Sequence, residues 1–398
     1  MYVLPCIFTI CTAQNVFAGW TLLNLPANGY DAFAVMGPYL FAGSYGGGVY
    51  RTTDDGVSWM AMDNQLSDKN VISFGVGGGV LYAGTDNGIF RSIDSGATWM
   101  LSIEGLTGEI IANGFTSGDT NVFAGLSYSG TYITTDDGLQ WKQSINGLSD
   151  LDVTALFANS VMSLAGTDTG VFYSSDNGAH WQISDLAGTT IHAFAETGAT
   201  LFAGTNNGVY ISANNGVNWE LANSDMTYYT TALAVYGGTI FAGASSGVML
   251  SSDNGANWTS ISKGFTDSVD VSSLIVSDSS LFAGTLTGGV WRRPLSELIT
   301  PVKEETGSSI PATLQLFQNY PNPFNASTTI TFSLSEIQNI SIKVYNILGE
   351  EIAALADGEF TPGAHSVFFD AHNLLNGVYF YRLNTGMNAQ TGRMIVLH

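Results

Sequence analysis

The sequence predicts an all-β protein dominated by a closed ring of seven repeated four-stranded sheets, and three observations predict it. A box of the form S/T-x-D/N-x-G-x-x-W recurs about every forty residues, at Thr52–Trp59, Ser92–Trp99, Thr134–Trp141, Ser174–Trp181, Ser212–Trp219 and Ser251–Trp258. A second signature, an apolar or aromatic residue followed by Ala-Gly, ends at Gly43, Gly84, Gly125, Gly166, Gly204, Gly243 and Gly284. Seven tryptophans (Trp20, Trp59, Trp99, Trp141, Trp181, Trp219 and Trp258) keep the same period, although only six boxes precede them.

Each repeat reads as an apolar strand, a hairpin, the Ala-Gly strand, a second hairpin, a short strand, the box turn and a Trp-led strand. Four antiparallel strands in about forty residues is the size of a propeller blade. The box absent before Trp20 and the Trp strand absent after Gly289-Val290-Trp291-Arg292 complement one another. The N-terminal strand is therefore predicted to complete the blade begun by Leu274, Phe282 and Val290, which closes a seven-bladed β-propeller over residues 19–295 and leaves no sheet edge open. In the box, an Asp or Asn side chain can accept hydrogen bonds from the turn's own backbone, Gly supplies positive φ, and Trp packs between or along neighbouring blades.

Composition supports this and narrows function. Of 398 residues, 45% are hydrophobic and only 11% charged, so the polarity comes from Gly, Ser, Thr and Asn, which suits short strands and tight turns rather than disorder. A net charge of −22 repels phosphate backbones and anionic membranes, which argues against nucleic acid as a partner. Residues 1–18 form an apolar segment too short to span a bilayer, ending Val16-Phe17-Ala18, and read as a secretory signal peptide. Both cysteines, Cys6 and Cys11, lie inside it, so the mature protein is expected to have no disulfide.

The box resembles the Asp-box of sialidases, sortilin-type propellers, photosystem II assembly-factor propellers and xyloglucan-cleaving glycosidases. The resemblance implies a propeller and no single function, since these families mix enzymes with binding scaffolds. It also implies that Asp54, Asp94, Asp136, Asp176, Asn214 and Asp253 are structural, on turns away from the ligand face. S-x-D-x-G supplies too few oxygens for calcium.

A ligand site is instead expected at the axial mouth, from the segments between each Trp strand and the next inner strand. These carry Asp31, Asp68, Glu109, Asp150, Asp152, His192, Tyr228, Tyr229, Asp267 and Asp270, enough carboxylates and tyrosines for an acidic, sugar-stacking or cation-binding mouth. Wet loops are polar in any protein, which is the plainer explanation. A sialidase needs three arginines around its substrate carboxylate, whereas Arg51 and Arg91 occupy equivalent repeat positions beside the box and read as edge residues. Two mouth carboxylates such as Glu109 and Asp152 could serve glycoside hydrolysis at a suitable separation. No metal-spaced cluster, phosphate loop or nucleophile elbow occurs, so no cofactor or metal is expected.

Residues 296–312, polar and charged, read as a linker. Residues 313–398 hold five or more alternating strands, which favours an immunoglobulin-like β-sandwich. Asn319-Tyr320-Pro321-Asn322-Pro323-Phe324-Asn325, Val344-Tyr345-Asn346-Ile347-Leu348-Gly349 and Gly377-Val378-Tyr379-Phe380-Tyr381-Arg382-Leu383 occur there in order, with Gly363, His365, Asp370 and Arg393-Met394. This is similar to the type A C-terminal sorting domain of type IX secretion substrates. The resemblance implies export across a Gram-negative outer membrane, with release or surface attachment, and contact with the secretion machinery near Arg382, Arg393 and Met394. The expectation is a secreted or surface-displayed binding or scaffold module. The alternatives are a glycoside hydrolase and a structural surface component.

Overall fold

The computed structural model describes residues 19–26, 29–118, 121–222, 229–266 and 269–298, and then 315–317, 319, 324, 327–335, 337–361, 363–371, 374–385 and 389–396. The expected signal peptide lies outside them. The chain divides into two compact units, residues 1–299 and 300–398.

Among the described residues, the first unit holds seven four-stranded antiparallel sheets. Six use consecutive strands, as blade 1 does with Tyr30–Met36, Tyr39–Ser44, Gly48–Thr52 and Met60–Ala61. Blade 7 takes Val271–Ser277, Ser280–Thr285 and Gly289–Pro294, and its fourth strand comes from the N-terminus, where Thr21–Leu22 pairs with Trp291 and Arg292. The inner strands of blades 2 to 6 are Val71–Gly77, Ala112–Ser117, Val153–Ala158, Ile191–Thr197 and Thr230–Tyr236. Each inner strand packs on the next, and the seventh packs on the first, so the ring closes.

The join is held by more than the short strand. Trp20 is buried, stacks on Phe265 at 4.9 Å and donates from its indole to the Ile261 carbonyl at 2.8 Å. The Gly19 amide donates to the Glu297 carboxylate, which also takes the Arg293 guanidinium. Glu297 lies on a helical turn, Leu295–Leu298, so the ring runs past the expected boundary at residue 295.

The Ala-Gly signature explains the spacing of the blades. A Cβ added to Gly43 would lie 2.6 Å from Val71 Cγ1, one on Gly125 would lie 2.5 Å from Val153 Cγ1, and one on Gly284 would run into the Tyr30 carbonyl. In each case the obstacle is the first residue of the next blade's inner strand. The aromatic residue of the signature meets the next blade's box glycine: Gly96 packs on Phe41, Gly138 on Tyr82, Gly178 on Phe123 and Gly56 on Phe282. Box glycine is thus required twice, by its φ near +80° and by this close approach.

The repeat tryptophans adopt two arrangements. Trp99, Trp141 and Trp181, like Trp20, are buried and donate to the preceding blade, at Met62 O, Ser102 Oγ and Ser144 O. Trp59, Trp219 and Trp258 turn back onto their own box carbonyls at Gly56, Gly216 and Gly255. The preceding connection decides which occurs. Positive-φ turns at Gln65, Gly105, Gly147 and Gly264 place the carbonyls of Asn64, Glu104, Asn146 and Lys263 on the amides of the first group.

The second unit is a two-sheet sandwich. Gln315–Leu316, Ser327–Leu334 and Gly363–Asp370 form one sheet, and Glu351–Phe360, Gln338–Tyr345, Gly377–Asn384 and Ala389–Val396 form the other in that spatial order. Ile330, Val344, Phe369, Tyr381, Met394 and Val396 fill the space between them. Met394 was expected at a partner contact. It is fully buried in this core, because strand alternation turns Met394 and Val396 inward and Arg393 outward.

Replacement of Gly284 by Ala should destabilise the ring by about 1–3 kcal/mol, because a carbonyl cannot move aside. Gly204→Ala should cost less, since its obstacles, the Thr230 methyl at 2.9 Å and the Thr230 carbonyl at 3.0 Å, stand farther off than the Tyr30 carbonyl does at Gly284. Thermal melts of the two variants compare them directly, and equal losses would contradict the packing described.

Candidate functional site

Every inner strand carries a β-bulge at its second residue, where the pairing register slips: Asp31, Ile72, Asn113, Thr154, His192, Thr231 and Ser272. A bulge re-aims the extra side chain. Together with the phenylalanines and leucines two positions on, including Phe33, Phe74 and Phe194, these residues line an axial channel of about 310 Å³.

Four of the bulge side chains also bind the blades to one another. Asn113 donates to the Val153 carbonyl at 2.9 Å, Thr154 to Ile191, Thr231 to Val271, and Ser272 to Tyr30 at 2.8 Å. Each acceptor is the first residue of the next inner strand. Blade 2, with apolar Ile72, uses Ser73 on Ala112 instead. Asp31 and His192 depart from the pattern. Asp31 Oδ1 is buried without a hydrogen-bond partner, and burial raises the carboxyl's pKa against the opposing effect of the Ser272 hydroxyl. His192 bonds through Nε2 to Asn206 Oδ1 at 2.6 Å, and its ring lies 4.6 Å from Tyr229.

The rim around this mouth sorts the sequence candidates. Asp68 accepts from the Asn70 amide and from both the amide and side chain of Asn87. Asp150 does the same for Asp152 and Thr169; burial opposes its charge, but the Thr169 bonds outweigh it and hold the carboxyl below its usual range. These two brace loops. Asp152 differs: burial first, and then the neighbouring charge of Asp168, push its carboxyl up against the opposing effect of Tyr128 of blade 3. Glu109 and Asp270 are exposed. Tyr228 and Asp267 lie outside the described residues.

Residues not anticipated complete the rim. Tyr45, on the turn between the second and third strands of blade 1, is 63% exposed, and Tyr128, on the same turn of blade 3, is 69% exposed. Tyr45, Tyr50, Gly29, Gly46, Gly47 and Leu286 line a groove of about 580 Å³ that shares Asp31 with the channel. The sequence signal for these tyrosines was their position just before the hairpin glycines. Aromatic residues thus stand beside titratable ones across two blade junctions, Tyr128 with Asp152 and Tyr229 with His192, and within blade 1 Tyr45 lines the same groove as Asp31.

The boxes lie at the other end. Inner strands start at the mouth, so two hairpins later each third strand ends at the opposite end, and there Ser280 of blade 7 donates to the Asp55 carboxylate of blade 1's box at 2.7 Å. Each box is a closed circuit. Thr52 donates to Asp54 and accepts from the Gly56 amide, while Asp54 accepts from the Ser58 amide and hydroxyl. The Ser58 bonds lower the Asp54 pKa to about 2, and those of His180 do the same for Asp176. Asp94 and Asp253 repeat the circuit, Asp136 keeps its backbone part through the Gln140 amide, and Asn214 keeps it by pairing with the Asn218 side chain. Arg51, Arg91 and Arg292 each donate to a box carbonyl of the next blade, at Ser95, Asp137 and Asp55, so they clamp blades and form no carboxylate-binding triad. Among the described residues, no three His, Cys, Asp or Glu side chains are grouped to hold a metal.

In the second unit, the motif residues bond to each other. The Tyr381 hydroxyl donates to the Phe317 carbonyl and accepts from the buried Asn319 amide, and Asn346 caps the turn that ends at positive-φ Gly349. Arg382 and Arg393 are exposed on one sheet face. Arg382 stands opposite Lys343, and Arg393 opposite Phe380.

Asp31→Asn should raise stability at neutral pH. A raised folded-state pKa means that charging Asp31 costs stability as pH climbs from its unfolded value through the folded one. The amide removes that cost and can donate to Val71 as Asn113 donates to Val153. The expected gain is about 1 kcal/mol, or about 2–4 °C in Tm, at pH 7, shrinking toward pH 4. A Tm at or below that of the parent at pH 7 would refute this account.

Residues 318–397 match the family described as Secretion system C-terminal sorting domain, and residues 152–283 match the DUF6242 beta propeller domain. A comparison with curated proteins gives no match. Among solved structures, YCF48 bound to D1 peptide is 15% identical with a TM-score of 0.56, over 74% of this chain and 98% of that one. The GH74 xyloglucanase from Xanthomonas campestris is 13% identical with a TM-score of 0.56, over 79% of this chain and 59% of that one. The extracellular domain of BT4673 from B. thetaiotaomicron is 13% identical with a TM-score of 0.57, over 93% of this chain and 57% of that one. The chain spans less than two thirds of the latter two structures. At these identities the likeness shows the propeller fold alone. The sorting-domain match carries the export route: a propeller bearing a type IX sorting domain is secreted or held at the cell surface.

Proposed function

We propose that the propeller is an extracellular binding module whose ligand enters at the axial mouth. The observation that carries this reading is the set of three aromatic–titratable pairs at the rim. Tyr45 and Tyr128 are exposed large rings on turn tips, where packing has no use for them. Apolar rings beside a few convergent polar groups are what ligand sites are made of. Turnover by glycoside hydrolysis is less well supported, because it uses two carboxylates across the scissile bond and Asp31 is the one carboxylate among the described residues lining the channel. The fold supports neither over the other, since similar propellers include one solved with a bound peptide and one named as a xyloglucanase.

Binding of candidate glycans and peptides, with hydrolysis assayed on the same samples, tests this reading. Binding without turnover, weakened about tenfold or more by Asp152→Ala or His192→Ala, is the expected outcome. Turnover lost in Asp31→Asn or Asp152→Asn would favour the hydrolase instead.

The repeat boxes are read as Asp-boxes on the strength of their hydrogen-bond circuits, and the sandwich as immunoglobulin-like. Its strand order supports the latter, as does the Tyr379 hydroxyl donating to the Leu375 carbonyl, a tyrosine corner. We assign residues 313–398 as the export signal and the face carrying Arg382 and Arg393 as its contact with the secretion machinery. A reporter fused to residues 313–398 should leave a type IX-competent cell, and Arg382→Glu/Arg393→Glu should reduce its export while the fusion stays folded. A fusion retained in the periplasm would refute the assignment.

A further inference from the structure

We propose that the groove between blades 7 and 1 is a subsite for a neutral pyranose residue, stacked on Tyr45 and hydrogen-bonded to Asp31. The inference rests on the mouth-binding reading and names its ligand class. The groove's volume of about 580 Å³ is that of a small-ligand site. Tyr45 presents an exposed ring on its turn, and Gly46 and Gly47 follow it; a Cβ on Gly46 would meet nothing within 4 Å, so the turn itself is open there. Leu286 faces the groove from the matching turn of blade 7, and buried Tyr50 forms part of its wall. Asp31 lines both the groove and the channel, which places a carboxyl group on the wall that they share.

These features match one chemistry. A pyranose carries an apolar face of C–H groups suited to an aromatic ring, and hydroxyl donors suited to a carboxyl group on the groove wall. Anionic sugars and phosphates are disfavoured by the chain's charge of −22. Burial raises the Asp31 pKa and so works against the charged carboxylate that an ammonium or guanidinium group would pair with.

Calorimetric titration of the full chain with cello-, manno-, xylo- and chito-oligosaccharides tests the proposal, with lysine- and arginine-containing tripeptides in parallel. At least one neutral oligosaccharide should bind, about tenfold or more weakly after Tyr45→Ala and nearly as well after Tyr45→Phe. Tyr45 is exposed, so its loss leaves the fold intact, which the thermal melt confirms. Three results would overturn the proposal: no oligosaccharide binds, sugar binding ignores Tyr45→Ala, or a tripeptide binds in a Tyr45-dependent way. Sugar binding that ignores Tyr45→Ala but falls with Tyr128→Ala or His192→Ala would remove the groove and keep the mouth. Binding indifferent to all three would remove both.

Discussion

The ring depends on how closely one blade can approach the next, and the glycine of each Ala-Gly strand sets that distance. At Gly43, Gly84, Gly125, Gly166, Gly204, Gly243 and Gly284, a Cβ would meet the neighbouring inner strand. On the same strands the aromatic residue, or Leu164 in blade 4, reaches the neighbouring box glycine, so successive blades touch near the axis and again near the far end. Two contacts per junction fix an angle as well as a separation. Seven repeats of that angle bring the last inner strand back to the first, and the helical turn Leu295–Leu298 follows the third strand of blade 7 where a seventh box would stand. Phe241, whose strand faces that junction, packs in one cluster with Trp20 and Leu295 instead of a box glycine.

The same geometry explains why the mouth is both rigid and available. Bulged residues at the start of each inner strand bind the next blade's backbone, so most of the circle is satisfied within the fold. Two blades leave the circle, and they carry the titratable side chains. Asp31 gives up the inter-blade bond and leaves a buried oxygen unpaired, while His192 turns to Asn206 and Tyr229. A repeat that supplies Asn, Thr or Ser at this position elsewhere could supply them here. The departure costs stability, and such costs concentrate where a protein meets its ligand.

Much of the fold was legible because repeats count themselves: six boxes against seven tryptophans pointed to the N-terminal strand of blade 7. The two arrangements of tryptophan were also written in the sequence, in the turns at Glu104-Gly105-Leu106, Asn146-Gly147-Leu148 and Lys263-Gly264-Phe265, but a single box motif hid them. The site was less legible. Asp68 and Asp150 share loops with Asp31 in sequence terms, yet their oxygens are spent on Asn87 and Thr169, and only hydrogen-bond geometry tells a brace from a binding group. Tyr45 and Tyr128 were overlooked because the mouth was expected between blades, whereas the turns inside each blade reach the same rim. Met394 beside Arg393 in a strand had to point the other way.

Recognisable motif and usable surface are therefore separated by strand direction in the ring. An odd number of crossings separates the bulge from the box, so the box must sit at the far end of the blade from the mouth, whatever the ligand. Both oxygens of these box carboxylates are engaged within their own turn, by Ser58, Thr98, His180 or Asn257 among others. The sorting domain follows a related logic by different means. Asn319, Asn346 and Tyr381 make its signature recognisable because they hold the sandwich together, and that work turns them inward or onto their own turns. The contact proposed for the secretion machinery accordingly uses what the strands turn outward, on the face of Arg382 and Arg393. In both units the residues that identify the chain are engaged in keeping it folded, and the ones left to act on the outside are their less regular neighbours.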